Sequence, residues 1–574
     1  MVKEKKEDSK NKIIKKLILK HYNLIIIILS IFIFASAFTF QVINPFNVRW
    51  LEKIGKYGFG ADILQHYIGW EGYRFSSWTF PIGLSNSLSY PHHISVIFTD
   101  AIPICAFIFK IFSFLLPKKF QYLGLYGVSC YILQALTSSK IIKKYTDSKL
   151  LTILISILFI YSPIMIFRMF YHTSLCSHWL ILISLSTLFL YEEYEKNKKI
   201  YITWMIISFL CSTIHIYLLA MCGIILIGYI LLDILNTKKI TKSIKLLITY
   251  LVIATITTYI FGGFHNISKI DNEGLGYFSF NLNGFLNPLD WSSYTKTLPM
   301  IEGQYEGFAY LGLGLLILIA ISVVLLIITL IKDRNKLIKY KNLSISLLFI
   351  SIICIIFALS PKAYYGDKLL YNLKLPNFIN DIWGIFRSTG RFIWPVVYII
   401  TICSLIIIIK RLSFKKAVII LIICLYIQIT EIGETLSNTY DYYTFLNSKE
   451  KPQEVEVKYD LDKYPYIKQL AKNKDTKILY LASKDFNTLD IYVYSDWALN
   501  HGLKTNLFWF SRNFINDYIF SPKNLKIKKT SKNNLYLFTT KNECKSYKLH
   551  CYELPNNHYL GYIKELDKKR KEDK

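Results

Sequence analysis

"LGLGLLILIAISVVLLIITLIKDRNKLIKYKNLSISLLFISIICIIFALS" (residues 311–360) sets two long apolar runs on either side of a short loop crowded with lysine and arginine. Each run approaches the roughly 20 apolar residues that cross a bilayer core. In hydrocarbon the backbone of such a run must be helical, because no water is there to bond a free amide. The pattern recurs along all 574 residues, of which 53% are hydrophobic and 16% aromatic. Apolar runs lie near 22–40, 101–117, 121–139, 150–167, 174–191, 200–213, 216–235, 244–262, 307–330, 342–360, 393–409 and 416–430. The expected fold class is an all-α polytopic membrane bundle of about 11 to 13 transmembrane helices with a small C-terminal α/β soluble domain. A wholly soluble fold is excluded.

The net charge of +29 does not mark a nucleic-acid binder, because the lysines form short clusters between apolar runs and at both ends. Loops 196–199, 237–245, 332–341 and 410–416 are lysine-rich and should be cytoplasmic. Segment 139–149 has the same character, so residues 101–139 must cross once or three times. One crossing, with the other apolar half re-entrant or interfacial, gives about 11 spans and an extracytoplasmic tail; an even number near 12 puts the tail in the cytoplasm.

The expected organisation is a basic cytoplasmic segment at 1–21, a transmembrane domain at 22–430 with outer loops 41–100, 263–306 and 361–392, and a soluble α/β domain at 431–574. "ASA" (35–37) resembles a signal-peptidase site, but the long basic leader and continuing apolar run fit an uncleaved anchor better. In the tail, "KILYLAS" (477–483), "TLDIYVYSDWALN" (488–500) and "NLYLFTT" (534–540) are strand-like. Eight cysteines sit in or beside apolar runs as small buried hydrophobes; Cys544 and Cys551 lie in the polar tail, where an oxidising compartment would allow a disulfide.

The outer loops carry the chemistry. "GADILQHYIGWEG" (60–72) places Asp62, Gln65, His66 and Glu71 among aromatic residues, and Asp100 precedes the next apolar run, where a helix N-cap is its ordinary role. A carboxylate at the membrane surface can take the proton of an acceptor hydroxyl. Two carboxylates can instead share a divalent cation, and spacing does not choose between these. "FRSTGRFIWP" (386–395) puts Arg387 and Arg391 at i and i+4, on one face of a helix, suited to phosphate oxygens or to an acidic partner in the bundle. "SPIMIFRMFYHTSLCSHW" (162–179) gathers Arg168, His172 and His178 at an outer turn, where a satisfied helix-end histidine is the plainer reading. Glu302 and Glu306 precede the run at 307–330 and could orient a sugar or simply face water. No HExxH, Walker or GxSxG motif is present.

Taken together, the acidic first outer loop, "RMFYHTSLCSHWLILISLSTLFLY" (168–191), "EGFAYLGLG" (306–314) and "FRSTGRFIWPVVY" (386–398) resemble a bacterial family of polytopic membrane proteins related to the GT-C glycosyltransferases. The likeness runs to about residue 430, with the ordered set of motifs more specific than any one of them. It implies a helical membrane core, an extracytoplasmic active site and a catalytic acidic residue in the first outer loop. Asp62 fits that base position best, although no paired acid stands beside it; Glu71 and Asp100 are the other acids in reach.

The resemblance implies sugar transfer from a polyprenyl-phosphate donor to an extracytoplasmic glycan, lipid or protein at the bacterial inner membrane. Arg387, Arg391, Arg168, His172, Gln65, His66, Glu302 and Glu306 would bind substrate, with a divalent cation the one cofactor to consider. Membrane lipids are expected partners and nucleic acid is not. The rival expectations are a lipid-linked sugar transporter or flippase, which needs polar groups through the middle of several spans, and a non-catalytic assembly protein for an envelope glycan.

Overall fold

The computed structural model describes residues 21–57, 62–196, 199–265, 274–332, 335–450, 461, 465–472, 476–483, 485–506, 508–511, 530–554 and 557–563. Nearly all of the expected basic N-terminal segment lies outside the described residues.

The membrane region is helical, as its apolar runs require. Its principal helices are α1 (Tyr22–Phe38), α2 (Arg49–Tyr57), α3 (Asp62–Phe75), α4 (Pro103–Ile111), α5 (Leu123–Lys143), α6 (Lys149–Ile160), α7 (Trp179–Phe189), α8 (Ile200–Ile214), α9 (Ile216–Thr237) and α10 (Thr241–Ile260), followed by α11 (Leu313–Lys332), α12 (Lys341–Leu359), α13 (Trp394–Arg411), α14 (Phe414–Glu431) and α15 (Gly433–Asn447). Hydroxyls within these apolar helices bond back to their own turn: Ser30 to the Ile26 carbonyl at 2.7 Å, Ser156 to Thr152 at 2.8 Å and Ser184 to Leu180 at 2.7 Å. These three buried hydroxyls are thereby satisfied within their own helices.

Among the described residues five helices are long and apolar enough to cross a membrane: α9, α10, α11, α12 and α13 with the turn that leads into it. α14 and α15, bent by 50° where they meet, make a sixth candidate when the pair is counted as one span. α1, α6 and α8 are apolar but shorter, and the apolar run at 174–191 is regular α-helix only from Trp179.

The run at 101–117 does not form a span. It folds as α4, nine residues or about 13 Å, and a 3-10 turn at Ser113–Leu115. Lys110 at its end is buried, with Nζ 3.0 Å from Ser76 Oγ and facing the Tyr73 and Trp78 rings. α5 follows with 21 residues, about 31 Å, so a single helix of crossing length lies between 101 and 143. Asp100 does not cap α4, contrary to expectation. It ends the 3-10 turn Val96–Thr99 in a left-handed conformation (φ 53°), while Ile102 occupies the N-cap position and Pro103 starts the helix.

The lysine-rich ends of the helices meet at one end of the bundle. Lys140 Nζ donates to Tyr194 Oη at 2.8 Å, Lys144 pairs with Glu192 at 3.4 Å, Lys242 pairs with Glu195, and Asn342 Nδ2 donates to Asn236 Oδ1 at 2.8 Å. The opposite helix ends carry the ordered outer segments and the tail.

The tail is built on a mixed five-stranded sheet: β1 (Ile478–Leu481), β2 (Lys504–Thr505), β3 (Asn534–Phe538), β4 (His550–Glu553) and β5 (Tyr559–Tyr562) in the order β2-β1-β3-β5-β4. β1 runs parallel to β2 and β3, whereas β3, β5 and β4 alternate direction. Helices α16 (Pro465–Lys472), α17 (Thr488–Asn500) and α18 (Lys541–Ser546) complete it. Residues 488–500 are therefore helix rather than the expected strand. Asn487 Oδ1 accepts from Asp490 N at 2.9 Å and Asp490 Oδ2 accepts from Asn487 N at 3.1 Å, a capping box that starts α17 in spite of its alternating apolar residues. Cys544 and Cys551 form a disulfide.

The tail docks on the first outer segment. Thr505 N donates to Ser87 O at 2.8 Å and Tyr90 N to Thr505 O at 2.9 Å, so residues 87–90 extend the sheet at its β2 edge. Lys504 Nζ reaches Asn86 Oδ1 at 3.0 Å, and α17 packs against α3.

Candidate functional site

Glu306 is the centre of the site. It lies on a 3-10 turn, Glu302–Gly307, just before α11. Its Oε2 accepts from Arg391 Nε at 3.0 Å and Nη2 at 2.9 Å, and Arg168 Nη1 approaches the same oxygen at 2.9 Å. Arg168 Nη2 also donates to the Glu306 backbone carbonyl at 2.7 Å. All three side chains are buried. Two guanidiniums against one carboxylate leave the cluster one positive charge in excess. Burial alone would raise the Glu306 carboxyl, but Arg168 and Arg391, helped by His172, outweigh it and hold the group well below the usual carboxylate range.

Two glycines allow these segments to meet. A Cβ on Gly390 would stand 2.6 Å from the Gly307 Cα, and one on Gly307 would stand 2.9 Å from the Ser279 carbonyl oxygen and 3.3 Å from the Gly390 Cα. The "EG" of 306–307 and the "GR" of 390–391 therefore touch backbone to backbone, which sets the carboxylate against the guanidinium. Aromatic rings hold the cations further: Arg391 lies over the Tyr217 ring at 4.7 Å, and Arg168 lies between Phe167 and Trp394 at 4.9 and 5.4 Å. Tyr217 Oη accepts from Ser388 N at 2.7 Å, tying the turn before α13 to α9.

Two acid-histidine pairs flank the cluster. His172 Nε2 stands 3.4 Å from Glu306 Oε1 and 3.9 Å from Asp62 Oδ2. Asp62 opens α3 and its side chain is 41% exposed, whereas Glu306 is 4% exposed, so His172 bridges a buried carboxylate and one that solvent reaches. On the other flank, His215 Nε2 stands 3.7 Å from Asp100 Oδ1, and His215 Nδ1 accepts from Tyr217 N at 3.2 Å at the start of α9. Arg391 feels the Asp100 charge, which joins the two flanks.

The structure thus brings Asp62, Asp100, Arg168, His172, Glu306 and Arg391 to one place. It separates others. Arg387 and Arg391 do not share a helical face, because Thr389–Ile393 is a 3-10 turn and Arg387 precedes it, exposed over the Phe278 ring at 4.9 Å. Glu302 is exposed beside Tyr277. Glu71 is buried on α3 against the tail: Tyr67 Oη donates to it at 2.7 Å and Asp496 of α17 faces it. Burial and the Asp496 charge hold Glu71 well above the usual carboxylate range, and its contacts are with the tail and not with the Glu306 cluster.

Gln65 and His66 are buried on α3. Neither His66 ring nitrogen has a hydrogen-bond partner among the described residues, and burial, with the His172 charge, lowers its pKa to about 3. Among the described residues no group of three or more His, Cys, Asp or Glu is arranged to hold a metal ion.

Tyr492 of α17 is the residue that the sequence did not reveal. It is buried, and burial together with the Asp62 and Asp100 charges holds its phenol well above the usual range. The tail therefore places a phenol within the field of both carboxylates. No local pattern marks it, since it is one tyrosine of 43 and lies 430 residues beyond Asp62 and 392 beyond Asp100.

Comparison with curated proteins finds no match. Residues 27–433, which hold Asp62, Asp100, Arg168, His172, Glu306 and Arg391, match the family described as Domain of unknown function (DUF6311), and the chain belongs to that family.

Proposed function

We propose that this protein is a GT-C-like membrane glycosyltransferase that moves a sugar from a polyprenyl-phosphate donor to an extracytoplasmic acceptor. The observation that carries the reading is the buried Arg168–Glu306–Arg391 cluster linked through His172 to the half-exposed Asp62, at the end of the bundle away from the lysine-rich loops. Surplus positive charge beside an accessible carboxylate suits a reaction in which a base activates a hydroxyl while a phosphate leaves.

In this reading Asp62 takes the acceptor hydroxyl proton as that oxygen bonds to the anomeric carbon. The bond from the anomeric carbon to the donor phosphate oxygen breaks, and polyprenyl phosphate departs with its electron pair. One displacement inverts the anomeric centre. Arg391 and Arg168 supply positive potential toward the departing phosphate. His172 holds Asp62 in register with Glu306. Asp100 with His215 forms a second polar pair for the acceptor.

The same reading takes the bundle as crossing about 11 times, with α1, α5, α6, α7 and α8 added to the six spans above. Site and tail then face outward at the bacterial inner membrane. The tail disulfide fits an oxidising compartment.

One observation favours the transporter alternative. His178 Nδ1 lies 2.8 Å from Tyr398 Oη, which also accepts from Gln134 Nε2 at 2.9 Å, a polar layer in the interior of the bundle.

Reconstitution in liposomes with labelled polyprenyl-phosphate sugars and candidate acceptors separates the readings. Product from wild type, lost at least about a hundredfold in Asp62→Asn with insertion and folding intact, supports the base assignment. Equal product from both removes Asp62 from that role. Carrier movement across the bilayer without product means the transporter reading is the correct one.

A further inference from the structure

A groove of about 600 Å³ opens where α14 bends into α15, walled on the other side by α1 and lined also by Tyr161. Phe32, Phe40 and Leu436 line it, with Ser36, Ser437 and Tyr440 among them, and none of its lining side chains is charged. This volume lies in the range of ligand sites, 300–1,000 Å³.

Both walls continue exposed apolar stripes, which face lipid in the membrane reading proposed above. On α1, Leu24, Ile28 and Phe32 are exposed at helical spacing, and on α14 Ile419, Ile422, Ile423 and Tyr426 are exposed. Between these two lipid-facing stripes the surface falls inward instead of closing. Gly433 makes the opening: a Cβ there would meet no atom within 4 Å, while the helix axis turns by 50°.

We propose that this groove is a binding site for one acyl chain of a bilayer phospholipid. An uncharged, mainly apolar slot open to the bilayer accepts a hydrocarbon chain and offers an ionic headgroup nothing; its four hydroxyl-bearing side chains, Ser36, Tyr161, Ser437 and Tyr440, suit the ester region. A chain seated there wedges the bend and fixes α15. α15 in turn holds the first outer segment: Asn47 Nδ2 donates to Asn447 Oδ1 at 2.6 Å, Lys53 Nζ donates to the Phe445 carbonyl at 2.5 Å, and α15 packs on α2, which leads toward α3 and Asp62. The groove thereby reaches the helix that carries Asp62 without touching the site.

The test uses the full chain in phosphatidylcholine nanodiscs containing a phosphatidylcholine with a diazirine on its acyl chain, with adducts mapped by mass spectrometry. Adducts on Phe32, Leu436 and Tyr440 should exceed those on the exposed Ile248 and Ile256 of α10 by about fivefold, which corresponds to roughly 1 kcal/mol of preferential occupancy. Gly433→Leu, which fills the groove, should bring the groove adducts down to the α10 level and leave the α10 adducts unchanged. Ser437→Leu, one turn along the same face, should do the same and serves if Gly433→Leu does not fold. Groove adducts equal to those on α10 in wild type, or unaltered by both variants, overturn the proposal. So does labelling of the groove by a diazirine polyprenyl phosphate and not by the phosphatidylcholine, which would give the groove a different occupant.

Discussion

Glu306 is buried against two guanidiniums, those of Arg168 and Arg391. Removing one member of a buried ionic cluster leaves uncompensated charge and typically costs 3–5 kcal/mol. Glu306→Gln keeps the shape and leaves two buried guanidiniums against a neutral amide, so a loss of about 3 kcal/mol is expected, read from thermal unfolding in detergent. The pH dependence follows from the depressed carboxyl. A group that releases its proton more readily when folded contributes its full stability above the ordinary carboxylate pKa of 4.5 and loses it as pH falls through the lower folded value. The stability difference between wild type and Glu306→Gln should thus be constant near neutrality and shrink below about pH 4.5. A difference that grows on acidification would mean the carboxyl is not held ionised by the arginines.

At the scale of elements, the contact of the Glu306 turn with the Arg391 turn rests on two glycines. Gly307→Ala and Gly390→Ala each drive a Cβ into backbone, and each should cost about 1–3 kcal/mol, measured as a drop in unfolding midpoint. Gly433→Ala is the control, since its Cβ meets open space.

These examples show what the sequence conceals. The identities of Arg168, Glu306 and Arg391 stand out as charges next to apolar runs, but their pairing joins residues 138 and 85 positions apart, and no local period records it. The i, i+4 spacing of Arg387 and Arg391 misleads because the intervening backbone is a 3-10 turn, in which four residues no longer bring side chains onto one face. Residues 488–500 mislead in the opposite sense: alternation suggests a strand, while the Asn487 and Asp490 caps at the helix start decide the outcome.

The α3–α17 contact carries its own test. Glu71 there faces Asp496, Tyr67 and Arg74, and its folded pKa is raised, so its contribution to docking is complete below 4.5 and is lost as pH rises through the folded value. Hydrogen-exchange protection of the Thr505 amide, which donates to Ser87, should fall with rising pH in wild type after correction for intrinsic rate, and stay level in Glu71→Gln.

The whole molecule poses a question of sides. The lysine clusters fall on one end because each long helix that begins there, up to α12, is followed by one that returns to it, and α4 is too short to alter the count. The tail cannot lie across the membrane from Asp62, since Thr505 bonds to Ser87 and α17 packs on α3. Site, first outer segment and tail therefore share one face, which the proposed function takes as the outer one. Single cysteines replacing Lys239, in a lysine-rich loop, and Lys410, in the last turn of α13, should react with a membrane-impermeant maleimide only in inverted vesicles. Cysteines replacing Asn557 in the tail and Tyr171 beside His172 should react only in intact cells or right-side-out vesicles. Asn557 on the lysine side with Tyr171 outside would break the contact between tail and α3. All four positions reversed would instead preserve the architecture and place the candidate chemistry in the cytoplasm, which excludes an extracytoplasmic acceptor.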